Sequence, residues 1–219
     1  MNAEAAPRRD WKVTQAGKIT WPNSGTLRVN FLGDSVGYRG SFASTLENSW
    51  RYLMRARLES VGPVAYGSYD HTHNANGNTV FTSVSNVSGG EDLTFVMLGT
   101  NNVREAQEYN AFSSDCASAL DRVRAAAPDA LLVVGGTWMP SNGGPWADCE
   151  RVAHYNVLIA EQAHKHDGLY VPFTDLFDHA PNRHPTGDPA FGGYTTDGFH
   201  PNDTGHRAIY DRYRIALSL

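Results

Sequence analysis

The chain has 219 residues, enough for one domain with a full core, and its 41% hydrophobic and 19% charged residues fit an ordinary soluble globular protein. Its formal net charge is −5 and no Lys/Arg cluster exceeds Arg8-Arg9 or the scattered Arg51, Arg55 and Arg57, which argues against a nucleic-acid partner. No apolar run approaches the roughly 20 residues that cross a membrane, and Met1 to Asp10 lacks the apolar core of a signal peptide, so the chain reads either as cytoplasmic or as a mature or excised form with a new start methionine.

Residues 1–24 read as an extension to a main domain over 25–219. Trp11 to Thr14 and Lys18 to Trp21 alternate like short strands around a Gln15-Ala16-Gly17 turn, which predicts a hairpin with no visible chemistry. Leu27 to Leu32 is the first core strand, and it runs into Gly33-Asp34-Ser35-Val36-Gly37. Glycines on both sides of a serine suit a sharp turn that presents the hydroxyl. A helix is expected over Ser41 to Ser60, with Phe42, Leu46, Trp50, Leu53, Met54 and Leu58 on its apolar stripe. That start puts Ser35 near a helix N-terminus, where peptide dipoles favour negative charge.

A short strand follows over Pro63 to Gly67, then a polar loop over Ser68 to Asn78, then an added or edge strand over Val80 to Val87. Leu93 to Leu98 is a continuous apolar run, as in strands buried on both faces, and it ends at Gly99-Thr100-Asn101-Asn102. A helix over Phe112 to Ala127 stops before Pro128. A strand over Ala130 to Val134 leads through a Gly-rich loop to a helix over Ala147 to His166, whose stripe is Val152, Tyr155, Ile159 and Ala163. A fifth strand covers Gly168 to Phe173. After an irregular stretch comes Asp197-Gly198-Phe199-His200-Pro201-Asn202, and a last helix starts near Asp203. Strands alternating with helices predict a three-layer α/β/α sandwich around a mainly parallel five-stranded sheet, with functional groups at the carboxyl ends of its strands.

Taken singly, each candidate motif also has an ordinary reading. Gly-Asp-Ser is a common turn, Asn101 can serve as a cap, Gly67 is a plausible plain turn glycine, and Asp197-x-x-His200 fits a surface loop. Taken together they supply a nucleophile, a base with an orienting acid, and amides for an oxyanion: the Gly67 amide, with Gly77 as its competitor, and the Asn101 side chain. The ordered blocks Gly33-Asp34-Ser35, Gly99-Thr100-Asn101 and Asp197-x-x-His200-Pro201 resemble the SGNH hydrolase superfamily, also called GDSL esterases, over residues 27 to about 217. The surroundings of the glycine follow the family's pattern less closely. The resemblance implies a flavodoxin-like fold. It makes Ser35 the nucleophile, His200 the base and Asp197 its partner, with an oxyanion hole of the Ser35 and Gly67 amides and the Asn101 side chain. It also implies no metal and no organic cofactor. Gly33-x-Ser35-x-Gly37 fits the α/β-hydrolase elbow too, but those enzymes usually place the serine after several strands, and here it follows the first.

The resemblance implies a carboxylic ester substrate and suits a short acetyl ester on a carbohydrate. It leaves open an O-acetyltransferase, a lipase or a thioesterase of the same fold; a non-catalytic carbohydrate-binding module is the competitor from another class. His71 and His73 lack a third metal ligand, and Trp138 and Met139 read as pocket lining or as packing. Cys116 and Cys149 each read as lying in the first turn of a helix that follows a parallel strand, so a single bridge and two free thiols are both open. A bridge would point to a secreted or extracytoplasmic protein, free thiols to the cytoplasm. Oligomeric state is not legible.

Overall fold

In the computed structural model the described residues are 25–36, 43–67, 89–138, 149–173, 176 and 200–219. Five strands are β1 (Leu27–Gly33), β2 (Val64–Tyr66), β3 (Leu93–Met97), β4 (Leu131–Gly135) and β5 (Leu169–Val171). They form one sheet in the order β2-β1-β3-β4-β5, and every pairing is parallel. The described helices are α1 (Trp50–Glu59), α2 (Thr100–Arg104), α3 (Tyr109–Ala126), α4 (Cys149–Lys165) and α5 (Asp203–Ala216), with a 3₁₀ turn over Leu46–Asn48. None is long and apolar enough to cross a membrane.

Pleating sends successive side chains to opposite faces, and the sheet is apolar on both. Leu32, Val96, Leu132 and Val134 pack on one side under Phe112, Leu120 and Val123 of α3 and Val152, Tyr155 and Ile159 of α4. Val29, Phe31, Phe95 and Val133 pack on the other under Trp50, Met54 and Leu58 of α1 and Ile209 and Tyr213 of α5. The expected three layers are therefore present. Phe31 and Phe95 are register partners, and their rings stack at 4.9 Å and 5°. Trp50 meets Tyr213 at 4.8 Å, and Phe95 meets Tyr213 edge-on at 5.3 Å. Pairs of this kind add about 0.5–1.5 kcal/mol each beyond area burial.

Three local expectations are corrected. The first described helix begins at Trp50, not Ser41: Leu46–Asn48 is a 3₁₀ turn and Ser49 is extended at φ −72°, ψ 146°. Leu46, expected on the apolar stripe, is 50% exposed. The side chains of Ser44 and Asn48 are bonded elsewhere, which competes with helix formation. The α-helix that follows Ser35 among the described residues therefore starts at Trp50. Second, a short helix over Thr100–Arg104, which the sequence reading lacks, precedes α3. It is entered through Gly99 at φ 108°, where a Cβ would also stand 2.9 Å from Thr137 Cγ2. Third, α3 starts at Tyr109, so Cys116 lies two turns inside it and not in its first turn. There the thiol is free, fully buried, and pushed up to about 12 by that burial and by Asp115. Of the two options for this cysteine, the structure shows the free thiol. The expected hairpin over 11–21 and the strand over 80–87 lie outside the described residues.

Candidate active site

The strand order turns back at β1: β2 lies on one side of it, and β3 and all later strands lie on the other. A crevice opens at the carboxyl ends of strands at such a point. Gly33 of β1 pairs with Met97 of β3, so the residues just beyond each strand sit side by side. Ser35 follows β1, and Asn101 lies in the first turn of α2, just beyond β3.

The turn that carries Ser35 is held from two directions. The Asp34 carboxylate accepts the Val36 amide hydrogen at 3.0 Å, bending the backbone around the serine. The indole N–H of Trp50, buried in the aromatic cluster, donates to the Val36 carbonyl at 3.0 Å. Below this turn the Tyr213 phenol is pushed well above its ordinary range, first by full burial and then by Tyr170 and the Asp34 charge. Ser35 itself is half-buried. Its Oγ lies 3.2 Å from Nε2 of His200, 165 positions along the chain.

His200 stands just ahead of α5, and its loop is fastened in place. Pro201 is buried. Asn202 caps α5, its side chain accepting the Gly205 amide hydrogen at 3.0 Å. Asp203 reaches across to the segment before α1. It accepts the Ser44 amide at 2.7 Å, the Ser44 hydroxyl at 2.6 Å and the Asn48 side-chain amide at 2.9 Å. Burial opposes its ionisation, but these bonds and nearby His206 outweigh that and hold the carboxyl below its usual value.

Asn101 is half-buried, and α2 is anchored beneath it. The neighbouring Asn102 is fully buried and donates from Nδ2 to Gln107 Oε1 at 2.6 Å, and Gln107 Nε2 donates to Asp115 Oδ2 of α3 at 2.8 Å. The Tyr155 hydroxyl of α4 donates to the Gln107 carbonyl. Of the paired asparagines, Asn102 is spent on the interior.

Of the residues expected at the site, Ser35 and His200 come together and Asn101 lies at the adjoining strand end. Gly67 is corrected as an oxyanion donor: its N–H donates to the Val29 carbonyl at 2.9 Å, extending the β1–β2 ladder, and is thereby committed. Trp138 is buried in the core on the α1/α5 side, as packing. Asp197, Gly77, His71, His73 and Met139 lie outside the described residues. Among the described residues no group of three or more His, Cys, Asp or Glu side chains is arranged to hold a metal ion. Reading the sequence alone missed Asp203, Ser44, Asn48 and Gln107; their only signal was polarity in segments that read as helix or loop.

The model of the GDSL-like lipase/acylhydrolase family matches residues 31–208, which contain both Ser35 and His200. The chain belongs to this GDSL-like family. It is therefore a carboxylic ester hydrolase by class. Solved structures share the fold of this GDSL-like hydrolase at low identity. An acetyl xylan esterase from Geobacillus stearothermophilus is 14% identical with a TM-score of 0.65, over 88% of this chain and 95% of the other. A lipolytic protein of the G-D-S-L family from Veillonella parvula is 16% identical at 0.62, over 85% and 96%. An α/β hydrolase enzyme from the Lake Arreo metagenome is 19% identical at 0.64, over 88% and 95%. No curated protein matches the GDSL-like hydrolase.

Proposed function

We propose that this GDSL-like hydrolase is a serine esterase that removes a short acyl group, acetyl above all, from a carbohydrate through an acyl-Ser35 intermediate. The observation that carries the reading is the 3.2 Å approach of Ser35 Oγ to His200 Nε2 at the carboxyl end of β1. Nε2 accepts the hydroxyl proton as Oγ attacks the ester carbonyl, and the resulting imidazolium returns that proton to the departing alcohol. Water then enters, gives a proton to the same nitrogen and attacks the acyl-serine. The acid is released and Oγ is reprotonated. In this reading Asp197 orients the imidazole, and the Ser35 amide and Asn101 side chain meet the oxyanion. An aimed side-chain amide lowers such a barrier by about 2.7–4 kcal/mol.

The acetyl-carbohydrate substrate draws support from the acetyl xylan esterase that shares the fold. It also fits a half-buried serine set between polar segments. The test is p-nitrophenol release from p-nitrophenyl acetate and longer-chain esters, wild type beside Ser35→Ala, followed by acetate release from an acetylated xylo-oligosaccharide. The expected result is Ser35-dependent turnover confined to short chains and falling about a millionfold in Ser35→Ala. Turnover that survives this substitution would sink the nucleophile assignment, and a preference for long chains would move the substrate to lipids. Acetyl transfer to an added sugar would make the enzyme a transferase. Failure of Ser35 to label with a fluorophosphonate probe would point to a binding module.

A further inference from the structure

Ser35 and His200 come from opposite ends of the sequence, and neither belongs to a regular element. A general-base pair tolerates little slack, since a displacement of about 1 Å can cost a hundredfold in rate. Something must hold the two segments in register. Besides the Ser35–His200 contact itself, three hydrogen bonds tie the His200 segment to the stretch between Ser35 and α1, and all three end on Asp203.

Asp203 is the first residue of α5, three positions after His200. Its Oδ1 accepts from the Ser44 backbone, and its Oδ2 accepts from the Ser44 hydroxyl and the Asn48 side chain. Asn48 also donates to Ser44 Oγ at 3.0 Å, so the three groups close on one another. On the partner side, Asn48 ends the 3₁₀ turn that leads through Ser49 into Trp50, and Trp50 grips the Val36 carbonyl beside Ser35. A continuous run of bonded groups thus leads from the base, through Asp203, to the backbone next to the nucleophile. Charge-assisted hydrogen bonds are the stronger kind, and Asp203 presents a carboxylate to three donors at once.

We infer that Asp203 is a positioning residue that sets the His200 loop against the Ser35 turn through Ser44 and Asn48. It touches neither substrate nor reacting atoms. The inference rests on the Ser35–His200 reading above.

The test compares wild type, Asp203→Ala, Asp203→Asn, the double substitution Ser44→Ala with Asn48→Ala, and the combination of that double with Asp203→Ala. Each is assayed on p-nitrophenyl acetate per folded molecule, with the folded fraction fixed by circular dichroism. Asp203→Ala should lower kcat about 10- to 100-fold with KM held within about twofold. The Ser44/Asn48 double should do the same, and the combined variant should be no worse than either, because one clamp is broken in all three. Asp203→Asn keeps an acceptor for the Ser44 amide and should recover part of the loss. Asp211→Ala removes a carboxylate of the same helix that pairs with Arg207 and Arg214, and should leave kcat unchanged.

Full kcat in folded Asp203→Ala, beside an active wild type, would overturn the positioning role and leave the nucleophile reading intact. A fall in thermal midpoint with kcat per folded molecule unchanged would overturn it equally. If Asp203→Ala does not fold, Ser44→Ala and Asn48→Ala taken singly carry the same test, and unchanged kcat in both overturns the role. Absence of any Ser35-dependent turnover in wild type would sink the parent reading and this one with it.

Discussion

Asp203 concentrates several effects on one carboxylate. Burial raises its pKa, while the Ser44 hydroxyl and amide, the Asn48 amide and His206 lower it, and the net shift is downward from 3.8. The unfolded chain therefore binds a proton that the folded one refuses. This contribution to stability is complete above about pH 4 and is lost as the pH falls through the folded value. The difference in urea midpoint between wild type and Asp203→Asn should be largest near neutrality and shrink toward about pH 3. A difference that stays constant through that range would mean that the carboxylate's charge adds nothing to the clamp. Gly67 shows the converse lesson at the same scale. A glycine after a strand invites assignment as a donor, but its amide extends the β1–β2 ladder instead.

The elements meet tightly where β4 ends. A Cβ on Gly135 would stand 2.1 Å from the Tyr213 hydroxyl and 2.8 Å from Phe173. The Tyr213 ring packs against Trp50, Phe95 and Phe173, and its hydroxyl is buried without a hydrogen-bond partner among the described residues. Gly135→Ala should destabilise by about 1–3 kcal/mol through overpacking. Tyr213→Phe removes an unsatisfied hydroxyl and the nearest of the atoms a Cβ would meet, while the Phe173 contact stays, so alone it should be neutral or stabilising by about 1 kcal/mol, and it should rescue part of the Gly135→Ala loss. Urea denaturation of the two single variants and the double checks this. Loss of stability in Tyr213→Phe would reveal a bond that the hydroxyl makes. Strands β3 and β4 were easy to read, because a run such as Leu93 to Met97 is buried throughout and carries its own signal. The start of α1 was not. Ser44 and Asn48 read as permissible helix residues, and their bonds to Asp203, more than 150 positions away, leave no trace in the local pattern.

For the molecule as a whole, Cys116 is an internal reporter. Its thiol is fully buried in the layer between the sheet and α3/α4 and raised to about 12, so the native protein should not expose it to reagents that attack thiolates. Alkylation of Cys116, followed by peptide mass spectrometry so that Cys149 is read separately, should proceed only through opening of that layer. Its rate should rise with urea in step with global unfolding. Rapid labelling in the native state would show that α3 lifts from the sheet by itself.

The amino-acid sequence determined the class of the fold, because alternating apolar strands and amphipathic stripes are local signals that this topology needs. It also determined the order of the blocks around Ser35, Asn101 and His200, because strand ends and helix starts mark themselves with glycine, asparagine and proline. Tertiary structure alone decided which amides remain available and which are spent in the sheet. It decided that Cys116 faces the core, and that Asp203 reaches Ser44 and Asn48. Each of these depends on pairing or packing between segments far apart in the chain, and periodicity within either segment carries no record of its partner.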